Sequence, residues 1–479
     1  MVHAIQATAT SILDPPTRGH ARGTVLALVA MTTWVAAGCD DPSYVTEAEA
    51  ITPTADLVVA EGLVTGSPLP GMDVAAFAEG AEAFGEVEAI EDGLGPVFNE
   101  RSCATCHSNP VVGGSGDQIE RRFGRMDAGI FYGYDGPDEN HGGTLRQLFS
   151  NGTYTVPESN QVCTIPVETQ PANANVLDVG RRTTPLFGLG LVDAMPDEFF
   201  ERLASRQPRA VRGTVSYVRV ALPDPRDRGQ FIGSRRVARF GWKAGVPSLM
   251  QFSADAYTNE MGVTTQSCFR GTSILDFAFE SFPNNVAPPE GCNGGDLAPR
   301  QPAHADVPEF ADDVVGSCAG SLTEIQEDLI LFTTFMESLA PPPRDLSNRR
   351  AARLGEPLFA EVGCADCHVA TTFVTPRRPH NRVPGNYPFH PYSDFLLHDM
   401  GTLGDKIGAT GDQEARTRLM RTAPLWGARF NTSFLHDGRA PDVGSAIAAH
   451  DGQAAAARRR FERLRQAERD AVIAFVLSL

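Results

Sequence analysis

Near the end of the chain, Phe461, Leu464, Val472, Phe475 and Leu479 fall close to one stripe of a helix, and Glu468 is the only polar member of that stripe. The spacing predicts an amphipathic helix that closes the chain. A second helix of the same kind is expected to end at Leu339, because Phe335-Met336-Glu337-Ser338-Leu339 matches Phe475-Val476-Leu477-Ser478-Leu479. The period changes inside a long insertion between Gly188 and Leu322. There Val215-Ser216-Tyr217-Val218-Arg219-Val220 alternates like a strand, with 230–239 as its partner. The pattern as a whole predicts a mainly α protein with a small β insertion in its first half.

The N-terminal pattern is of another sort. Arg18 and Arg22 precede an apolar run, Val25 to Ala37, which is too short for a typical membrane span and ends in Ala36-Ala37-Gly38-Cys39. Small residues before a Cys resemble a bacterial lipoprotein box, although Ala36 stands where Leu is more usual. Residues 1–39 are therefore expected to be a signal peptide, with Cys39 lipidated. From Asp40 the chain is acidic, contains Pro and Thr and lacks periodicity, so 40–75 reads as a flexible tether. The expected location is the periplasm or cell envelope, with a lipid anchor at Cys39.

Composition narrows the function classes. The chain has 479 residues, with 41 basic against 59 acidic and a formal charge of -18. That balance excludes a phosphate-neutralising surface, so nucleic acid is not an expected partner. It suits a soluble body that docks a redox partner protein.

The chemistry lies in the cysteines. Cys103-Ala104-Thr105-Cys106-His107 and Cys364-Ala365-Asp366-Cys367-His368 both read Cys-x-x-Cys-His, the signature of covalent haem c attachment. Two thiols add to the two vinyl groups of one porphyrin, and the adjacent His binds the iron. A single copy could be a redox dithiol or half a zinc site. Two copies, with no further Cys-x-x-Cys to complete a zinc site, favour two haems. Pro96 to Ser102 aligns with Pro357 to Gly363 before the motifs, which places Phe98 and Phe359 one turn ahead of the first Cys. Arg182-Thr183-Thr184-Pro185-Leu186-Phe187-Gly188 likewise matches Arg421-Thr422-Ala423-Pro424-Leu425-Trp426-Gly427. The order of motif, Arg-Thr segment and closing helix thus occurs twice. It divides the chain into an N-terminal cytochrome c-like haem domain, 76–340, and a C-terminal one, 345–479, joined at Pro341-Pro342-Pro343-Arg344. Cys163, Cys268, Cys292 and Cys318 remain for disulfides, with three pairings open; Cys268 with Cys292 is preferred because it closes a Pro/Asn/Gly-rich loop.

These segments, together with Thr184 to Leu191, Arg239 to Ala244, Leu397 to Gly401 and Leu435-His436-Asp437-Gly438-Arg439, give a chain that resembles the di-haem oxidoreductases. That group is described as peroxidases or thiol oxidoreductases and is related to bacterial di-haem cytochrome c peroxidases and to the di-haem enzyme that matures methylamine dehydrogenase. The resemblance runs from about Ala76 to Leu479 and implies roles residue by residue. The distal ligand of the second haem, counted fourteen residues from His436, falls on His450, with Met400, His398 and Met420 as rivals. Trp242 corresponds to a Trp between the haems, and Gln251 and Glu260 to residues lining a peroxide pocket. The position for a distal His at the first haem, sixteen residues after His107, holds Phe123; His141, Met126 and Met195 are other candidates. Asn431-Thr432-Ser433 corresponds to a calcium-binding segment of the relatives, which leaves calcium open as a further cofactor.

The expected function is an exported di-haem oxidoreductase of peroxidase type. Electrons would enter at the His368 haem and a small oxidant such as hydrogen peroxide would react at the His107 haem. The alternatives are an electron-transfer cytochrome without catalysis and a protein-modifying di-haem oxidase.

Overall fold

The helix Val74–Gly85 starts where Asp73 accepts hydrogen bonds from the amides of Ala75 and Ala76, at 2.8 and 3.2 Å. This computed structural model describes residues 63–479 with internal gaps, the longest at 134–142, 274–291 and 293–323. The signal peptide, Cys39, the tether up to residue 62, His141 and Cys318 lie outside the described residues. No helix among the described residues is long and apolar enough to cross a membrane.

Val74–Gly85 packs on the helix Glu324–Ser338, and Arg349–Glu361 packs on the closing helix Gln466–Ser478. Each pair crosses at a glycine. A Cβ on Gly80 would stand 2.6 Å from the Leu331 carbonyl oxygen, and one on Gly355 would run into the Ala471 carbonyl oxygen. Beside each glycine the closing helix contributes a Phe of the repeated segment. Phe335 packs on Phe84 at 5.0 Å between ring centroids, and Phe475 on Phe359 at 5.2 Å.

These contacts correct one alignment made from the sequence. The counterpart of Phe359 is Phe84, four residues after its crossing glycine, and not Phe98. Phe98 lies in a two-residue strand, Val97–Phe98, paired with Phe149–Ser150. The extra chain between Phe84 and Cys103 shifted the apparent register.

The repeated Arg-Thr segments end alike. The amide of Gly188 donates to Leu339 O at 3.0 Å, and that of Gly427 to Leu479 O at 3.1 Å. Both glycines have positive φ, 68° and 71°. A Cβ on Gly188 would lie 2.8 Å from the Trp426 ring. The aromatic of one repeat therefore packs on the glycine of the other, and one hydrophobic cluster holds Phe187, Phe199, Phe373, Phe389 and Trp426 together. The described residues belong to one compact unit.

The expectation of a mainly α fold is wrong. Helix makes up 34% and strand 18% of the described residues, and their strands form seven small sheets. The expected pair is there: Ser216–Arg219 runs antiparallel to Arg235–Ala238. The larger sheet was missed. It centres on Ile119–Asp127, which pairs with Ile130–Tyr132, Leu145–Arg146 and Val176–Arg182. Its central strand reads Ile-Glu-Arg-Arg-Phe-Gly-Arg-Met-Asp, and charged residues turn inward, so no alternation of apolar and polar marks it. Other strands are two to four residues long, below what a period can reveal.

The preferred disulfide is corrected as well. Cys292 bonds to Cys163, 129 residues away, with a Cα–Cα separation of 5.7 Å. Both are buried in a small cluster with Val97, Val156 and Ile165. Loop composition favoured a local pairing, whereas the hairpin Thr153–Val156/Gln161–Thr164 carries Cys163 to the site.

Candidate functional site

Each Cys-x-x-Cys-His motif opens on its own cavity. Cys103 begins a short helix, Cys103–Cys106, and Cys364 a 3-10 turn, Cys364–Asp366; in both, the His follows directly. The four thiols are not paired with one another. Burial raises all of them, with Cys106 and Cys364 pushed up to about 12. A redox dithiol needs a thiol lowered toward neutrality, so these environments do not suit one. Burial also lowers His107 and His368 to about 4, which keeps both rings neutral. The Nδ1 of His107 faces Gly114 O at 3.2 Å and that of His368 faces Tyr392 O at 3.0 Å. A nitrogen facing a carbonyl must carry the proton, which leaves Nε2 of each ring as a free electron pair for a metal.

His450 repeats this pattern. It caps the helix Val443–Ala449, its Nδ1 faces Ala446 O at 2.7 Å, and it lines the second cavity with His368. Its charge also contributes to lowering His368. The rival His398 is engaged at both nitrogens, with Nε2 2.8 Å from Asp394 Oδ2 and Nδ1 3.7 Å from Cys367 Sγ. Met400 and Met420 line the same cavity, and Met420 Sδ lies 3.9 Å from Lys243 Nζ.

The first cavity has a different lining. His107 is its only histidine among the described residues. Phe123 is fully buried, Met195 is in the main core, and neither Met126 nor Met195 lines the cavity. Charged groups line it instead. Arg122 holds Glu120 through Nε to Oε1 at 2.7 Å and Nη2 to Oε2 at 3.1 Å. Glu260 accepts from Asn99 Nδ2 at 2.8 Å. Burial, then the neighbouring Glu120, pushes Glu260 up to about 8 against the pull of Arg122. Burial also lifts Asp255 to about 6.

Trp242 lines both cavities. Its Nε1 donates to Arg182 O at 2.8 Å, and its ring stands edge-on to His436 at 6.3 Å. The other repeat arginine, Arg421, donates from its amide to Trp242 O at 2.8 Å and from Nε to Gly241 O at 2.6 Å. The two Arg-Thr repeats thus converge on this one residue.

Among the residues expected at the first cavity, Glu260 is placed there and Gln251 is not. The helix Leu249–Met261 turns Phe252, Asp255, Asn259 and Glu260 to the cavity and keeps Gln251 buried outside its lining. Glu120 and Arg122 were missed. Their signal was a pair of opposite charges two apart, on one face of an unrecognised strand.

The Asn431-Thr432-Ser433 segment does not fit calcium. Ser433 O accepts from the Arg182 guanidinium, Asn431 Oδ1 accepts from Ser115 Oγ at 3.1 Å, and the Thr432 hydroxyl donates to Asp117. Oxygens of all three residues are thus engaged with protein partners, one of them a cation.

Residues 150–479 match the family described as "Di-haem oxidoreductase, putative peroxidase". The first Cys-x-x-Cys-His motif lies ahead of the matched residues. No curated protein matches the chain. A hydrazine synthase of Kuenenia stuttgartiensis, solved under xenon pressure, aligns over 96% of this chain and 100% of its own, at 12% identity and a TM-score of 0.33. A likeness that low carries no further weight, but the family match spans well over half the chain. The chain belongs to the di-haem oxidoreductase family and is an oxidoreductase with two haem groups.

Proposed function

We propose that the protein is an exported c-type di-haem oxidoreductase of peroxidase type, with electron entry at the His368 site and chemistry at the His107 site. Cys103, Cys106 and His107 hold one haem; Cys364, Cys367, His368 and His450 hold the other. Haem supplies one-electron storage and, where its iron keeps an open position, the reductive cleavage of a peroxide bond. The buried neutral thiols and free Nε2 atoms support this assignment.

The chain's own residues supply the rest. Hydrogen peroxide takes up two electrons and two protons to give two waters. Glu260, with its affinity raised to about 8, holds a proton on its carboxyl at neutral pH and can release it to the departing oxygen. Arg122 fixes Glu120 as an anion in the same cavity, and that negative charge helps to keep the proton on Glu260. His450 would hold the second iron together with His368 and leave that site to electron transfer with a redox partner protein. Cys39 tethers the body in the cell envelope by a lipid.

One observation carries the reading: Trp242 borders both cavities, so its indole bridges the gap that electrons must cross. In Trp242→Phe, inter-haem transfer followed by stopped-flow absorbance is expected to slow at least about tenfold, with both haems still attached. An unchanged rate removes the relay.

A further inference from the structure

Away from both cavities, a buried cluster takes no part in the reaction above. Asp193 ends the helix Leu189–Asp193, Asp224 comes from the insertion, and His380 comes from a loop of the second half. One ligand atom from each lies within 4.8 Å of the others.

Two features separate this cluster from an ordinary set of ion pairs. The first is geometric. Asp193 is 2% exposed, and its Oδ2 has no hydrogen-bond partner; the same holds for the buried His380 Nε2. These two atoms face each other at 3.5 Å, within ion-pair range of a protonated imidazole but outside good hydrogen-bond geometry. Two ligands each about 2.1 Å from one ion at the tetrahedral angle stand about 3.4 Å apart. An unpartnered oxygen and an unpartnered nitrogen thus hold the separation of a tetrahedral edge.

The second feature is charge. Arg226 donates to Asp224 Oδ1 from Nε at 3.0 Å and to Asp224 Oδ2 from Nη2 at 2.7 Å, and it also binds Glu337 from Nη1 at 2.9 Å. Among the described residues, one guanidinium therefore serves two buried carboxylates, and Asp193 is a third. Against the pull of burial, Asp193 and Asp224 draw His380 toward its protonated form, and even with that charge the group is one positive charge short; buried anions are costly unless neutralised. Asp224 Oδ1 also accepts from the Arg226 amide at 2.9 Å, whereas Oδ2 keeps a second lone pair beyond its Nη2 contact. Two carboxylates and an imidazole form the donor set of a zinc-like ion, with water in the fourth position.

We propose that Asp193, Asp224 and His380 bind one divalent transition-metal ion of the zinc type, which pins two parts of the insertion to the second half. The site is distinct from the haem irons and does not depend on the peroxidase reading. Its position in the fold assigns it a structural role.

The test uses untagged holoprotein, stripped with a chelator and then equilibrated with buffered Zn²⁺. Zinc and iron per chain are measured by mass spectrometry, and Tm by calorimetry. The expected result is one zinc per chain beside two irons, with a higher Tm in zinc than in chelator. His380→Ala and Asp193→Asn should each weaken zinc uptake by more than the about 10- to 100-fold typical of losing an outer partner, at unchanged iron content. Native protein that takes up no stoichiometric zinc overturns the proposal. So does uptake that survives undiminished in both variants. Asp224→Asn, which keeps an oxygen for Arg226, serves if His380→Ala fails to fold, and full zinc affinity there also counts against the site.

Discussion

The two cavities share a scaffold and differ in their lining. Each lies at a Cys-x-x-Cys-His motif beside a pair of helices crossed at a glycine, Gly80 or Gly355. In each, a repeated Arg-Thr segment runs past the cavity and returns its glycine amide to the end of a closing helix. The second cavity then offers an additional imidazole with Nε2 free, His450. The first offers Glu120, Arg122, Asp255 and Glu260 instead. The scaffold fixes where a haem can sit, and the lining decides whether its iron is saturated by protein or left to a substrate. The difference traces to the strand Ile119–Asp127 and the helix Leu249–Met261, whose charged residues Glu120, Arg122, Asp255 and Glu260 line the first cavity and not the second.

The largest expected effect separates the two attachment sites. Replacing Cys364 and Cys367 together with Ser should reduce covalently bound haem, measured as the pyridine haemochrome after acid–acetone extraction, from two per chain to one. Retention of two would mean that the motif does not attach haem. Next, Glu260→Gln should lower peroxide turnover by about 10²- to 10⁴-fold, the usual contribution of a positioned acid, while the haem spectrum stays intact. The pH profile sharpens the point. The acid form is the active one and its proton is held with an affinity raised to about 8, so turnover should be steady at neutral pH and fall as pH rises through about 8. A profile that rises across that range would place the catalytic acid elsewhere.

Smaller effects test the shared scaffold. Gly80→Ala and Gly355→Ala should each destabilise the protein by about 1–3 kcal/mol, as overpacking does, read as a lower denaturation midpoint. If only one of them does so, the two helix pairs are not equivalent. The smallest expected change is in Gln251→Ala, which should leave the pH profile of turnover unmoved because the residue does not line the cavity.

Part of this was readable in the sequence. Both motifs, both Arg-Thr segments and both closing-helix ends survive as repeated strings, because each makes the same backbone contact twice. Trp242 and Glu260 were found through the family resemblance, and the structure places both at the first cavity. Phe98 was aligned with Phe359 where Phe84 is the counterpart in space, since insertions move a motif along the chain without moving its counterpart. The sheet around Ile119–Asp127 was invisible for a physical reason. Its inward face carries Glu120 and Arg122, which satisfy each other as an ion pair, so burial there left no apolar period to read. The pairing of Cys163 with Cys292 depends on a long-range fold that local composition does not encode.

The central claim is that two related haem sites do two jobs. Cyanide titration of the oxidised protein, followed by electron paramagnetic resonance, tests it most directly. The account predicts one cyanide bound per chain, lost in His107→Gly, and a second haem that stays six-coordinate and low-spin until His450 is replaced by Ala. Low-spin signals from both haems with no cyanide uptake, or uptake at the His368 site in the native protein, would contradict it.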